Sequence, residues 1–398
     1  MFAYIYILLL LFSLIFALYG KNDKKQIIIV SIFFAILAGE MVPKPGIYID
    51  TVRFFSTLDT TRLALRNYGL KDAYEYLFNY LGYNSTPVMG ILIMIVAVFN
   101  YNGLLLAIAA FVDVYCGYNL VLDGRNGEKN RNVAAMSIFF FFSVFIFSAA
   151  VPGVRANIVC SLLVLLCHKK INKNLTWIPF LFVAFLLVLI HPFTLVILLL
   201  FFVPYYFGKE KLIMLLFYLI LLFQGKFQSF IFAAIYKLTN IPFFSSLYFK
   251  SNQYFGVNAY IDISSDSLAR YFLRMIVFSL IFLTVLSLHK FRLNKFDKMF
   301  AGTLFLAIGA LNDTVLFTRC IDLMFFLVLP YLNILLVELF DGKRIRSKIS
   351  RTVLIFAIII FSIFSLIDNV RAGTKYNNIS TNLQEEANIG FINNNHYI

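Results

Sequence analysis

The chain has 398 residues, of which 61% are hydrophobic and only 14% are charged, and its formal net charge is +14. Soluble domains have about 45–50% apolar and about 25% charged residues, so this composition excludes an ordinary soluble protein. The positive charge does not indicate nucleic-acid binding, because most lysines lie in short loops between apolar segments, where they act as topology signals. The four cysteines all lie in apolar segments without metal-ligand spacing, so we predict no metal site and no cofactor.

Apolar stretches close to bilayer-spanning length recur along the chain. The predicted spans are 2–19, 26–41, 103–122, 133–151, 155–168, 175–190, 192–207, 211–224, 271–288, 299–316, 320–340 and 352–369. They predict an all-α polytopic membrane protein, a single bundle of about 12 transmembrane helices over residues 1–373. A polar, Asn-rich tail over 374–398 follows it. The apolar stretch 87–99 is short for a span, and we interpret it as a re-entrant or interfacial piece, or as a tilted helix.

The loops between these spans alternate in charge. The basic loops are 21–25, 123–132, 168–174, 208–211, 289–298 and 341–351. The positive-inside rule assigns them to the cytoplasm, which leaves the alternate connections outside. Two of the outer connections are long, 42–102 and 225–270. This assignment is self-consistent only if the stretch 87–99 makes no separate crossing.

Several ionisable side chains fall at the predicted outer ends of apolar segments, where basic anchors are not expected. They are Arg53, Arg155, His191, Arg270, Arg274 and Arg319. Ionisable groups at the membrane are costly, so they indicate a functional site, and a set of cations at one face indicates a multiply charged anion. The alternative to a functional site is a structural role. These side chains could anchor helix ends by snorkelling, and Arg319 could form a local ion pair with Asp322. Arg62 and Arg66 are interpreted as a solvated face.

The order of these features resembles the EpsG-like branch of the bacterial polysaccharide polymerases of the Wzy class. The matching elements are Tyr48 to Phe55 around Asp50, Glu75 to Asn79, Phe147 to Ala156 around Arg155, His191, and Arg319 to Pro330 with Phe325 and Phe326. They cover most of residues 1–340. The chain lacks the Gly before Asp50, and its Arg-Gln-x-Ile-Ala element begins Arg155-Ala156.

The resemblance implies a GT-C-like membrane glycosyltransferase in the bacterial inner membrane. Its substrates would be undecaprenyl-diphosphate-linked glycans, which it polymerises on the outer face without a nucleotide sugar. Membrane lipid and a chain-length regulator protein are the further expected partners. Arg155 and Arg319 would stabilise the leaving diphosphate, and Arg53, Arg270 and Arg274 would bind it.

The roles of three further groups stay open at this point. His191, Asp50 and Asp262 are alternative general bases for the acceptor hydroxyl. Tyr254 and Tyr260 in the outer loop are expected to stack on sugar faces. The rival functions are an O-antigen ligase, a lipid-linked oligosaccharide flippase or transporter, and a membrane acyltransferase. A transporter is expected to place its cations near the middle of the membrane rather than at one face.

Overall fold

The computed structural model describes residues 1–19, 24–43, 50–123, 131–145, 153–172, 175–223, 265–311, 313–341 and 348–379. In chain order its α-helices are α1 (Phe2–Tyr19), α2 (Lys24–Gly39), α3 (Asp50–Glu75), α4 (Pro87–Val98), α5 (Gly103–Asp123), α6 (Arg131–Val144), α7 (Val154–Asn172), α8 (Trp177–Val188), α9 (Phe193–Phe207), α10 (Lys211–Phe223), α11 (Ser265–Leu288), α12 (Lys295–Gly309), α13 (Thr314–Asp341) and α14 (Lys348–Tyr376). A π-helical turn (Tyr76–Tyr80), a 3₁₀ turn (Tyr83–Ser85) and two strands, β1 (Met41–Pro43) and β2 (Asn377–Ile379), complete the described elements.

Five of the described helices are long and apolar enough to cross a membrane. These spans are Phe2–Tyr19, Gly103–Leu122, Leu268–Leu288, Thr314–Phe340 and Ile349–Lys375. Five shorter apolar helices accompany them, namely α4, α6, α8, α9 and α10. By length and composition this is an all-α, multi-pass membrane protein.

The short apolar stretch predicted at 87–99 forms helix α4, which has 12 residues. At 1.5 Å per residue such a helix is about 18 Å long, well below the ~30 Å hydrocarbon core. Helix α8 has the same length, although the sequence pattern counted it as part of a span. Length alone therefore does not separate the crossing helices from the others.

The described residues group into two compact units. Unit 1 comprises residues 1–165, 189–191 and 332–398, and unit 2 comprises residues 166–188 and 192–331. The single bundle expected over 1–373 stays a prediction. The first residues of the predicted polar tail are regular structure, since α14 continues to Tyr376 and β2 follows it.

Several helix ends of unit 1 gather around the strand pair. Strands β1 and β2 are antiparallel and pair Met41 with Ile379, so α2 and α14 finish side by side. Asn369, near the end of α14, donates to the backbone carbonyls of Ser143 and Phe145 at 2.6 and 2.9 Å, which brings the end of α6 to the same place. We call this the strand end of unit 1. The loops at this end are the ones that charge counting placed outside.

The long connection between α2 and α5 begins and returns at the strand end. A Cβ added to Gly103, the first residue of α5, would lie 2.0 Å from the carbonyl oxygen of Gly39, the last residue of α2. Beside this contact the Tyr101 hydroxyl donates to Oε1 of Glu40 at 3.1 Å. The connection therefore starts and ends at the same end of unit 1, and the absence of a separate crossing by 87–99 stays a prediction.

In unit 2 as well, helix ends that charge counting assigned to one side lie together. The rings of Phe272 and Phe317 lie 5.0 Å apart, so α11 and α13 start together. A Cβ on Gly309 would lie 2.4 Å from the carbonyl oxygen of Leu221, so α12 and α10 finish together. These two contacts join helix ends that the charge pattern places on one side, and we call that side of unit 2 its Arg319 end.

The connection between α12 and α13 differs from the prediction. Spans were predicted at 299–316 and 320–340 with a turn at 317–319, but α12 ends at Gly309 and α13 begins at Thr314. Asp313 sets this boundary, because its Oδ1 accepts the backbone N–H of Leu316 at 3.1 Å and so caps the helix. The predicted turn is wrong, and Arg319 lies within the second turn of α13.

Candidate functional site: two arginine pairs at helix ends

In unit 1, two arginines from different helices converge on one aromatic ring. The guanidinium carbon of Arg53, on α3, lies 5.8 Å from the centroid of the Phe54 ring. That of Arg155, in the first turn of α7, lies 5.4 Å from the same centroid. The Phe54 ring is buried, whereas Arg53 is exposed and Arg155 is half-buried. Cation–π contact orients a guanidinium, so the Phe54 ring helps to position both side chains.

The two predicted bases of unit 1 lie near helix termini. Asp50 is the first residue of α3, one turn before Arg53, and its side chain is outside the described part of the structure. His191 is half-buried in the turn between α8 and α9, and contacts group it with unit 1, the unit of Arg53 and Arg155. Thr194 closes this turn by donating to the carbonyl of Leu187 at 2.8 Å.

In unit 2, two arginines share one carboxylate. Nη1 of Arg319 lies 3.6 Å from Oδ2 of Asp322, one turn further along α13. Arg274, on α11, also interacts electrostatically with the Asp322 carboxylate and lies with its guanidinium carbon 5.8 Å from the Tyr271 ring. Arg274 is buried, Arg319 is half-buried and Arg270 is exposed.

The local pair of Arg319 and Asp322 that the spacing allowed is therefore present. Its separation of 3.6 Å is too long for a charge-assisted hydrogen bond. Partly exposed ion pairs of this geometry contribute little stability, roughly 0–1 kcal/mol.

Asp313 lies at the same end and was not proposed from the sequence as a site residue. Its carboxyl is buried, and Oδ2 has no hydrogen-bond partner among the described residues. Burial raises the pKa of Asp313 to about 6, and the backbone N–H groups of Leu316 and Val315 oppose the rise. An Asp directly before an apolar run indicates a helix N-cap, and this pattern in the sequence could have identified Asp313.

Arg62 does not form the solvated face that the sequence suggested. It pairs with Asp59 at 2.8 Å and donates to Oδ1 of Asn102 at 2.8 Å and to the carbonyl of Phe99 at 3.2 Å. These bonds fasten α3 to the connection between α4 and α5. Arg62 is thus a structural clamp, while Arg66 donates to Oδ1 of Asn100 at 3.1 Å and is exposed.

The acid within a predicted span, Asp113, is fully buried in α5. The hydroxyl of Ser161, on α7, donates to its Oδ1 at 2.7 Å. An acid inside an apolar helix is costly without a polar partner, and Ser161 supplies one from a neighbouring helix. This pair joins α5 to α7 inside unit 1.

The remaining predicted site residues are outside the described structure. Tyr254, Tyr260 and Asp262 all belong to the segment 224–264. Among the residues that are described, no group of three or more His, Cys, Asp and Glu side chains comes together as in a metal site.

Comparison of the chain with protein-family models, with curated proteins and with solved structures finds no match.

Proposed function

We propose that the protein is a glycosyltransferase of the bacterial inner membrane that polymerises undecaprenyl-diphosphate-linked oligosaccharide repeat units at the outer face. In this proposal the chain crosses the membrane about 12 times as a GT-C-like bundle, and the strand end and the Arg319 end face outward. Its substrate is the lipid-linked glycan itself, and it works with a chain-length regulator protein.

The pairing of arginines carries this proposal. In each unit two guanidiniums surround one group, Arg53 and Arg155 the Phe54 ring, and Arg274 and Arg319 the Asp322 carboxylate. A diphosphate carries several negative charges and offers oxygens on both phosphorus atoms. Guanidinium groups bind such oxygens in bidentate fashion, and they remain charged at every physiological pH.

The chemistry follows from the leaving group. The acceptor sugar's hydroxyl oxygen bonds to C1 of the donor sugar, and the bond from C1 to the phosphate oxygen breaks. The bonding electrons leave with the lipid diphosphate, whose negative charge grows as the bond lengthens. Arg155 and Arg319 stabilise that charge, an effect worth about 3–4 kcal/mol per donor in comparable oxyanion sites.

The hydroxyl proton must pass to a base. His191 is the best supported of the proposed bases, because it is half-buried and belongs to the same unit as Arg53 and Arg155. Imidazole also titrates near neutral pH, which suits a general base. Asp50 and Asp262 remain alternatives. Arg270, which is exposed like Arg53, suits initial capture of the diphosphate.

Glycan profiles of a deletion strain test the reaction class. Loss of a polymerase leaves lipid A core carrying one repeat unit on a silver-stained gel. Loss of a ligase leaves core alone, and loss of a flippase also leaves no capped core. We expect core plus one unit, restored to full ladders by the wild-type gene.

Arginine variants test the residues in the same strain. Arg155→Ala and Arg319→Ala should each shorten the ladder to single units, equivalent to at least a hundred-fold loss of rate. Arg131→Ala is the matched control, because Arg131 is an exposed arginine at the first residue of α6, away from the strand end. Full-length ladders with both site variants would overturn the assigned roles.

A further inference from the structure

The chain's single tryptophan lies in an aromatic cluster at one end of unit 2. Trp177 begins α8, and its ring centroid is 5.1 Å from that of Tyr205 and 6.1 Å from that of Tyr206, both near the end of α9. The Phe202 ring is also 6.1 Å from Trp177. We call this the lysine end, since α8 and α9 are antiparallel and His191 lies at their other end. Trp and Tyr clusters of this kind are typical of the membrane–water interface.

Two ammonium groups lie over rings of this cluster. Nζ of Lys170 is 4.0 Å from the centroid of the Trp177 ring, and Nζ of Lys295 is 3.6 Å from that of Tyr205. Neither lysine forms an ion pair with a carboxylate of the described residues. Lys170 donates to the carbonyl of Leu175 at 2.6 Å, and that acceptor is uncharged. The rings hold both cations in place and leave their charge uncompensated.

The surrounding charge is strongly positive. Within the described residues of this end the cations are Lys169, Lys170, Lys209, Lys211, Lys290, Arg292, Lys295 and Lys298, and the carboxylates are Glu210 and Asp297. Asp297 is already engaged, because it caps α12 through the backbone N–H of Asn294 at 2.6 Å and accepts the Tyr331 hydroxyl at 2.7 Å. Lys298 donates to the carbonyl of Gly208, which joins the two basic loops. The positive charge of the lysine end is therefore available to bind an external anion.

We propose that the lysine end binds the phosphate of an anionic phospholipid of the bilayer, with Lys170 and Lys295 contacting the headgroup and the Trp177 cluster lying against the adjoining chains. The site is a lipid-binding surface, independent of the glycan chemistry proposed above. An amphipathic ring lies at headgroup depth, and lysines at the same depth attract anionic lipids, which agrees with the basic loops being cytoplasmic. The positions of both ammoniums over rings distinguish this surface from an ordinary basic loop.

Because Trp177 is the only tryptophan, its fluorescence reports the lipid bound at this surface. Purified protein is reconstituted in bilayers of phosphatidylcholine mixed with brominated phosphatidylglycerol, or with brominated phosphatidylcholine as the zwitterionic probe. Bromine quenches tryptophan at contact distance, so the two titrations give the relative affinity of the anionic lipid. We expect a preference of roughly five-fold or more, which declines as salt is added.

Matched variants separate this surface from net charge. Lys170→Gln with Lys295→Gln should reduce the preference towards one, whereas Lys170→Arg with Lys295→Arg should keep it. Lys24→Gln with Lys25→Gln removes two exposed lysines from the start of α2 in unit 1 and should leave the preference unchanged. Equal quenching by both lipids in the wild type would overturn the proposal, as would an equal loss of preference in the control. A double Gln variant that fails to fold leaves the wild-type selectivity and the Arg variant as the deciding measurements.

Discussion

The described structure uses its two kinds of cation differently. Arginines at the strand end and the Arg319 end meet in pairs beside Phe54 and beside Asp322. At the lysine end, Lys170 and Lys295 each lie over an aromatic ring as a single ammonium group. A planar fork suits two oxygens of a diphosphate, and a point charge suits a headgroup phosphate. Residue type therefore agrees with the ligand proposed at each end.

Asp313 gives a prediction about pH. Burial raises its pKa from 3.8 to about 6, so the folded protein holds a proton that the unfolded chain has lost between these values. The stabilisation from protonated Asp313 is full below pH 4 and is lost as pH rises through about 6, up to about 3 kcal/mol in all. Asp313→Asn keeps the Oδ1 cap and removes the titration. We expect wild type to lose thermal stability relative to this variant between pH 4 and pH 7.

Thermal unfolding in detergent at several pH values measures the difference. Asp72→Asn, which removes an exposed carboxyl of α3, is the control and should follow the wild type. Parallel stability profiles for wild type and Asp313→Asn would show that Asp313 does not carry the change.

Two helices of unit 1, α2 and α5, meet at a pair of facing glycines. Gly103 begins α5 directly against the backbone of Gly39 at the end of α2, while Gly302 on α12 faces side chains, of which Leu200 is the nearest. Helices in membranes approach closely through such small residues, because lipid offers no hydrophobic driving force between them. A neighbouring backbone cannot move away from an added Cβ unless a helix shifts, whereas a neighbouring side chain can move on its own.

Alanine substitution at the two glycines should therefore differ. Gly103→Ala would place Cβ 2.0 Å from the Gly39 carbonyl oxygen, so we expect a loss of about 1–3 kcal/mol or more. Gly302→Ala meets its nearest atom at 3.1 Å and gains helix propensity, so its melting temperature should stay near that of the wild type. Equal melting temperatures for the two variants, measured by fluorescence-detected size exclusion, would show that the α2–α5 contact is looser.

Charge and hydropathy predicted the helical class and the sorting of helix ends, because both depend on long-range averages over many residues. The boundary between α12 and α13 was missed, since the apolar run continues through it and only the cap at Asp313 interrupts the helix. The meeting of Arg155 with Phe54 links positions about a hundred residues apart, and no local pattern encodes it. Arg62 was misjudged for the same reason, because Asn102 lies 40 positions away.

At the scale of the whole molecule, contacts among the described residues bring helix ends together within each unit. The contact of Gly39 with Gly103 and the pairing of β1 with β2 join loops that charge counting assigned to one side. The contacts of Lys170, Lys295 and Lys298 join loops that it assigned to the other side. Charge sorting and side-chain contacts are independent observations, and within each unit they agree.

Cysteine labelling tests this sidedness. The native cysteines are all buried, so background labelling should be low. Asn100→Cys at the strand end should react with a membrane-impermeant maleimide from the periplasmic side, and Lys209→Cys at the lysine end should react only after permeabilisation. Both positions are exposed. The reverse pattern would place the arginine pairs in the cytoplasm and exclude an outer-face reaction.

In-vitro polymerisation of a defined undecaprenyl-diphosphate-linked repeat unit by the purified protein tests the proposed function most directly. We predict that the wild type and Arg131→Ala convert single units into a ladder of chains, while Arg155→Ala and Arg319→Ala, folded and inserted, leave single units. Ladders of wild-type length from both of these variants would contradict the role of the arginine pairs, and no ladder from folded wild-type protein supplied with its cognate repeat unit would contradict the polymerase itself.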